Sequence, residues 1–201
     1  MKRIGILLSG RGSNFEAIAR QIDEGNLNAE IAAVVSNVPS APGLQRARER
    51  GFDVYSVNSK GLSREAFDRQ VIEILEKKKV ELVCLAGFMR LLSPSFIQTF
   101  RDRILNIHPS LLPAFPGLDA QRQALEYGVK VSGCTVHFVD EGLDSGPIIL
   151  QAVVPVLDGD AEESLSARIL EQEHEIYSKA IQQVLDGQIR IDGRRALQAS
   201  R

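Results

Sequence analysis

A polar pair at the end of one apolar stretch carries the strongest chemical signal in this chain. Asn106 and His108 follow Ile104, and Pro109 comes directly after them. Side chains alternate along a strand, so this amide and this imidazole are expected on the same face, side by side. Open α/β sheets bind their ligands at the carboxyl ends of their strands. The pair therefore suits a catalytic site, although a strand end with a satisfied histidine remains an alternative for these two residues alone.

Asp144 is the third candidate for chemistry. It lies in an acidic loop, and Gly142 and Gly146 flank it closely, which predicts a shaped rather than a floppy backbone. A carboxylate brought to His108 would favour the imidazolium form and orient the ring. The alternative is an ordinary solvated loop acid.

A glycine-rich segment, 9–14, separates an apolar run (4–8) from a predicted helix. Such a loop at a helix start can cradle an anion. It lacks the third glycine of a dinucleotide-binding fingerprint and the Gly-Lys-Ser/Thr of a P-loop. The phosphate of a small ligand and a plain tight turn both remain as interpretations. Ser13 and Glu16 predict a capping box that starts the helix near Phe15.

Glu173 interrupts an apolar helical stripe formed by Leu165, Ile169, Ile176 and Ala180. A carboxylate on such a face is costly unless it has a partner, which is either a ligand amine or hydroxyl, or an arginine. His174, one step off the stripe, is expected to be packed. His137 is expected to support a neighbouring site or only the fold. The three histidines show no metal-ligand spacing, so no metal is expected.

The elements that position these residues alternate between apolar strands and amphipathic helices from Ile4 to Ile107, which predicts a parallel sheet. The segments 130–139 and 147–156 then read as two strands with no helix between them, so they are expected to be antiparallel. A long helix to Leu185, a short strand at 188–191 and a frayed tail complete the prediction. The fold class is α/β: a doubly wound, mostly parallel, Rossmann-like sheet with a strand pair that breaks the pattern in the C-terminal half.

Bulk properties narrow the function classes. The chain has 201 residues, which predicts a single domain over 1–201, with about 188–201 as a short terminal extension. The formal net charge of -2 gives the chain no excess of positive charge, so nucleic-acid binding is not expected. The first apolar run is too short for a signal peptide, and no stretch is long enough for a membrane span. Cys84 and Cys134 are expected to be buried thiols of a cytoplasmic protein.

Four segments, taken together, resemble the folate-dependent formyltransferases, and among them the phosphoribosylglycinamide formyltransferases. The resemblance covers about residues 3–187. It is carried by Ser9-Gly10-Arg11-Gly12-Ser13-Asn14, Leu85-Ala86-Gly87-Phe88-Met89-Arg90, Leu105-Asn106-Ile107-His108-Pro109-Ser110-Leu111-Leu112-Pro113 and Val136-His137-Phe138-Val139-Asp140-Glu141-Gly142-Leu143-Asp144-Ser145-Gly146-Pro147.

The resemblance implies transfer of a formyl group from 10-formyltetrahydrofolate, a co-substrate, to the amine of glycinamide ribonucleotide in de novo purine biosynthesis. It implies no metal, nucleic acid or membrane. The implied catalytic residues are Asn106, His108 and Asp144. The implied ribonucleotide-binding residues are Gly12, Ser13, Asn14 and Glu173. The implied folate-binding residues are Arg64, Met89, Arg90, Leu91, Leu92, Asn106, Asp140, Glu141, Gly142, Leu143 and Asp144.

One departure from the family and four rival functions accompany this resemblance. Asp119 and Gln121 stand where some relatives carry histidines, so a histidine role there has no support in this chain. Formyltetrahydrofolate hydrolases and methionyl-tRNA formyltransferases resemble the same core but carry an additional domain. Sugar-amine formyltransferases keep the core with a different substrate. A catalytically silent binding module would not need Asn106, His108 and Asp144 together.

Overall fold

The protein is described by a computed structural model over residues 1–199. The chain divides into two compact units, residues 1–105 and residues from 106 onward. Its architecture is α/β, with a mostly parallel sheet and antiparallel strands towards the C-terminal end, as the sequence predicts. No helix among residues 1–199 is long and apolar enough to cross a membrane.

The first unit is built from parallel strands and their connecting helices. Its elements are β1 (Lys2–Leu8), α1 (Ser13–Asp23), β2 (Ala29–Ser36), α2 (Pro42–Glu49), β3 (Val54–Ser56), α3 (Arg64–Lys77), β4 (Leu82–Leu85) and α4 (Pro94–Thr99). Strand β1 pairs in parallel with both β2 and β4, and β2 pairs with β3. The interior residues of β1 are apolar and fully buried because helices of the alternating pattern cover the sheet.

Local sequence explains where the helices of the first unit begin. The Ser63 hydroxyl accepts a hydrogen bond from the Ala66 N–H, and Ser93 caps α4 in the same way through Phe96. The predicted capping box of α1 is wrong. Its N-cap is Gly12, whose φ of 78° is left-handed, and no side chain caps the first turn. Glu16 pairs with Arg46 instead, at 3.3 Å.

Strand β5 (Ile104–His108) leads into the second unit. The elements that follow are α5 (Ala120–Tyr127), β6 (Val131–Phe138), β7 (Ile148–Pro155), α6 (Glu162–Leu185), β8 (Ile189–Asp192) and β9 (Arg195–Gln198). The predicted strand pair is confirmed, because β6 and β7 run antiparallel. Helix α6 packs on both strands of this pair, and its apolar face, which includes Leu165 and Ile169, is buried.

The predicted short strand at 188–191 corresponds to β8, whereas the frayed tail predicted after it is wrong over its described part. Strands β8 and β9 form an antiparallel hairpin, and β9 also pairs in parallel with β7 where Ile148 meets Arg195. The turn between them uses Gly193 at a φ of 58°. The residues that follow β8 are mostly polar and basic, and chain ends are often poorly ordered, so the sequence favoured a frayed tail there. Residues 200 and 201 lie outside the described residues.

Candidate active site

His108 is held at the end of β5 by contacts to both ring nitrogens. Its Nε2 lies 2.9 Å from the main-chain oxygen of Phe115, and its Nδ1 lies 3.4 Å from Asp144 Oδ2. Nε2–H donates to the Phe115 oxygen, because a main-chain oxygen can only accept. The ring is buried, and the Asp144 carboxylate lies beside its other nitrogen. Nδ1 is therefore the less firmly engaged of the two ring nitrogens.

Asp144 is brought to His108 by a tightly shaped loop. Its backbone φ of 48° is left-handed, and the Gly117 N–H donates to Oδ2 at 2.8 Å. The side chain is only 14% exposed, so the carboxylate is not an isolated solvated acid. A Cβ at Gly146 would lie 1.9 Å from the Phe138 carbonyl oxygen, so this position of the loop requires glycine.

The acidic loop is also braced from within. Asp140 Oδ1 accepts hydrogen bonds from the Gly142 N–H at 3.0 Å and from the Ser145 hydroxyl at 2.6 Å. The predicted folate-binding residues Glu141 and Leu143 are exposed between these contacts. Leu143 offers an apolar side chain to a ligand.

Asn106 lies against His137, a contact that the sequence did not predict. Asn106 Nδ2 is 3.2 Å from His137 Nε2, and His137 Nδ1 is 2.8 Å from the Phe138 oxygen. With Nδ1–H donating to that carbonyl, Nε2 is left as the acceptor and receives the Asn106 N–H. Burial lowers the pKa of His137 from its ordinary value, which keeps the ring neutral and accepting. One N–H of Asn106 is thereby fixed and the other stays available to a ligand.

Sequence reasoning missed a set of residues that shape the loop 109–117. The Thr135 hydroxyl donates to the Ser110 oxygen at 2.7 Å and accepts from the Leu112 N–H at 3.0 Å. Gln151 Nε2 donates to the Leu112 oxygen at 2.9 Å.

The loop 109–117 is also stabilised by its own side chains. The Ser110 hydroxyl donates to the oxygens of Ala114 and Phe115. The shared face of Thr135 and His137, two residues apart on β6, was the one available signal.

Glu173 lies on the buried face of α6, as the apolar stripe predicted. Its side chain is 7% exposed, and its charge contributes to a raised pKa of the Cys134 thiol, at about 12, for which burial is the larger cause. Cys84 and Cys134 are both buried and free. His174 is half-buried beside Glu173.

The predicted phosphate-binding loop lies in the first unit. Gly12 packs so closely against α2 that a Cβ there would lie 2.6 Å from Gly43 Cα. Ser13 and Asn14 form the start of α1, whose first turn has no side-chain cap. An uncapped helix start presents its N–H groups and the positive end of the helix dipole to an anion.

The predicted folate-binding segment of the first unit follows β4. Met89 and Leu91 are 67% and 57% exposed, while Leu92 is buried. Arg90 lies over the Phe67 ring at 4.6 Å, and its buried Nε has no hydrogen-bond partner among the described residues. Arg64 is exposed at the first position of α3. The segment thus offers apolar side chains and cations to a ligand.

Asp119 and Gln121, at which the resemblance implies a departure, lie at the start of α5. Asp119 is the N-cap at a left-handed φ of 56° and pairs with Arg122, and Gln121 follows in the first turn. Within residues 1–199 there is no group of three His, Cys, Asp or Glu side chains arranged to hold a metal ion.

A model of the family described as formyl transferase matches residues 2–181. The match spans most of the chain, which therefore belongs to the formyl transferase family. Within that family the chain is similar to the phosphoribosylglycinamide formyltransferase of Escherichia coli K12, at 46% identity over 94% of this chain and 89% of the relative. It is 47% identical to the trifunctional purine biosynthetic protein adenosine-3 of Drosophila melanogaster over 92% of this chain, but spans only 14% of that protein.

A solved structure extends the similarity to three dimensions. The glycinamide ribonucleotide transformylase 1 of Symbiobacterium toebii superposes with a TM-score of 0.97 at 53% identity. The superposition covers 100% of this chain and 95% of that one. The C-terminal hairpin, which lies beyond the family match, is therefore included in the structural similarity.

Proposed function

We propose that this protein transfers the formyl group of 10-formyltetrahydrofolate to the amine of glycinamide ribonucleotide. The products are formylglycinamide ribonucleotide and tetrahydrofolate, in de novo purine biosynthesis. The observation that carries the proposal is the grouping of Asn106, His108 and Asp144 around the end of β5 in a member of the formyl transferase family. The names of its relatives support the choice of substrate.

The first chemical step creates a negative charge. The amine nitrogen attacks the formyl carbon, and the carbonyl oxygen becomes an oxyanion. His108 Nε2–H is taken by the Phe115 oxygen, so Nδ1–H, with its long 3.4 Å contact to Asp144, is the donor left for this oxygen. The second N–H of Asn106 supplies another hydrogen bond. Donors fixed before the reaction stabilise the oxyanion without reorganising.

The second step moves a proton. The attacking nitrogen becomes cationic and must lose a proton, while the folate N10 must gain one as the C–N10 bond breaks. Asp144 Oδ2 is engaged by the Gly117 N–H, but Oδ1 lies 3.9 Å from His137 Nε2, beyond hydrogen-bond distance. Oδ1 is therefore the oxygen that can accept the proton, directly or through a water molecule, and return it to N10.

The substrate-binding roles rest on the charge, polarity or apolar exposure of the residues at each place. Ser13 and Asn14 at the uncapped start of α1 suit the ribonucleotide phosphate, and the carboxylate of Glu173 suits its hydroxyl or amine groups. Met89 and Leu91 suit the apolar surface of the folate ring, and Arg64 and Arg90 suit its carboxylates. The two buried free cysteines fit a reducing compartment such as the cytoplasm.

The test is a transfer assay with purified protein and 10-formyltetrahydrofolate, with and without glycinamide ribonucleotide. We expect tetrahydrofolate to form only when the ribonucleotide is present, in amounts equal to formylglycinamide ribonucleotide. Tetrahydrofolate and formate without the ribonucleotide would indicate a hydrolase. Transfer to an amino sugar nucleotide but not to the ribonucleotide would indicate a different acceptor. Binding of folate without turnover would indicate a silent module.

A further inference from the structure

Asp68 is a buried carboxylate to which the proposed reaction gives no task. It lies in α3 and is 1% exposed, next to the fully buried Phe67. Burial is the main influence on its ionisation and raises the pKa of Asp68 above its ordinary value. An ionised carboxylate in this place therefore lowers the stability of the fold at neutral pH.

The Asp68 carboxylate binds Ser93, the residue that directly follows the segment 87–92. The Ser93 N–H donates to Asp68 Oδ2 at 2.5 Å, and hydrogen bonds from Ser93 oppose the effect of burial on the Asp68 pKa. Ser93 is fully buried and is the N-cap of α4. Asp68 thus joins the end of the segment to the middle of α3.

Arg90, inside the same segment, packs on the ring of Phe67, the residue that precedes Asp68. Its guanidinium lies 4.6 Å from the centre of the Phe67 ring, and Phe88 stacks on that ring at 6.3 Å. The positive charges of Arg90 and Arg64 act on Asp68 and lower its pKa against the effect of burial. A cation stacked on an aromatic ring beside a buried anion has little freedom to move.

The other end of the segment is fixed independently of Asp68. The Ser9 N–H donates to the Gly87 oxygen at 3.0 Å, and the Met89 N–H donates to the Ser9 hydroxyl at 2.8 Å. Between the two anchors only Met89 and Leu91 extend their apolar side chains to solvent. A segment with two fixed ends and two exposed apolar side chains resembles a preformed ligand surface.

We propose that Asp68 is a positioning residue for folate: its buried carboxylate holds Ser93 and Arg90 so that residues 89–92 are preorganised to bind. The inference rests on the proposed function, because it takes these residues as the folate-binding segment. The buried charge of Asp68 lowers the stability of the fold, and the preorganised Arg90 raises the affinity for folate. Functional sites commonly lower stability in this way.

The experiment compares Asp68→Asn and Asp68→Ala with Glu73→Gln, an exposed carboxylate on the same helix. Tetrahydrofolate binding is measured by calorimetry, the ribonucleotide KM and kcat by the transfer assay, and the Tm by thermal unfolding. Arg90→Gln is the reference for a lost folate contact. The amide of Asp68→Asn can still accept from Ser93 but lacks the charge beside Arg90, whereas Asp68→Ala removes both interactions.

We expect Asp68→Asn to weaken tetrahydrofolate binding about tenfold, because the charge that acts on Arg90 is lost. Asp68→Ala should weaken it about 10- to 100-fold, because it also loses the hydrogen bond from Ser93 to a charged group. The ribonucleotide KM and kcat of Asp68→Asn should stay within about threefold. The Tm of Asp68→Asn should not fall at pH 7, because a costly buried charge is removed. Glu73→Gln should match the wild type in all four measurements.

Three results would overturn the inference. If Arg90→Gln weakens folate binding and neither Asp68 variant does, the folate segment is correct but Asp68 does not position it. If Asp68→Asn lowers the Tm and reduces every kinetic constant together, Asp68 is a fold residue only. If the wild type binds no tetrahydrofolate, the proposed function fails, and the inference fails with it.

Discussion

Replacing Asp144 with asparagine tests whether the carboxylate and His108 act as one catalytic unit. The amide has nearly the same shape, and its oxygen can still accept from the Gly117 N–H that now lies 2.8 Å from Oδ2. The left-handed backbone at Asp144 also tolerates asparagine. The loop is therefore expected to keep its conformation while the negative charge disappears.

The distance between the two side chains sets the size of the effect. Two unit charges 3.4 Å apart interact by about 5 kcal/mol at an effective dielectric constant of about 20. That value is an upper limit, because Asp144 is 14% exposed and solvent screens part of the charge. Roughly 3–4 kcal/mol of transition-state stabilisation corresponds to a loss of about 10²–10³ in kcat. The ribonucleotide KM is expected to change far less, since the phosphate is proposed to bind at α1.

Steady-state kinetics of a double-mutant cycle measures the coupling. Asp144→Asn combined with His108→Ala should be barely slower than His108→Ala alone. Two residues that act as a unit contribute one shared effect, and the first substitution already removes it. Asp158→Asn, a fully solvated acid paired with Lys130, is the control and should retain wild-type kcat. Additive losses in the cycle, or a kcat within about threefold of wild type for Asp144→Asn, would refute the reasoning.

Four further predictions follow from the geometry. Ser13→Asp should raise the ribonucleotide KM at least about tenfold without destabilising α1, because a carboxylate repels phosphate yet suits a helix N-terminus. Ser13→Asn is its control. An equal loss of folate affinity would mean that this loop does not bind the phosphate. Glu173→Gln should raise the same KM about 10- to 100-fold, whereas a lowered Tm with normal kinetics would make Glu173 a structural residue. Burial holds the pKa of His137 below its ordinary value, so the unfolded chain binds more protons near pH 6 and wild-type stability should fall as the pH drops from 7 to 5. Urea unfolding of His137→Gln should show a flatter pH dependence, and an equally steep one would contradict this assignment. Dialysis against EDTA should leave formyl transfer unchanged, and activity that returned only with added zinc would overturn the proposed chemistry.

Regular periodicity made the fold predictable. Continuous apolar strands and amphipathic helices are short-range patterns, and the structure shows the predicted alternation of strands and helices from β1 to β5. The start of α1 was misplaced because Ser13 and Glu16 satisfy a local rule, whereas the close contact of Gly12 with Gly43 decides the conformation. That contact joins residues far apart in sequence, and no local pattern records it.

The residue types of the candidate site could be predicted from the sequence, but most of the contacts between them could not. Asn106, His108 and Asp144 stood out because polar groups at strand ends and in glycine-flanked loops are typical of sites. The tautomer of His137 and the anchoring of His108 by a main-chain oxygen depend on three-dimensional hydrogen bonding. Asp68 was not singled out, because a lone acid on a helix looks solvated until its burial is known.

The C-terminal hairpin gives the acidic loop a local stability that can be measured separately from the rest of the fold. Arg194 donates to the Ser145 oxygen at 3.2 Å, and β9 meets β7 at Ile148, just beyond the loop. Opening of the hairpin would release both contacts at once, so the amide hydrogens of Gly142 and Ile148 should exchange with solvent in step with those of β9. A change in the stability of the hairpin would then change how often the loop that carries Asp144 opens.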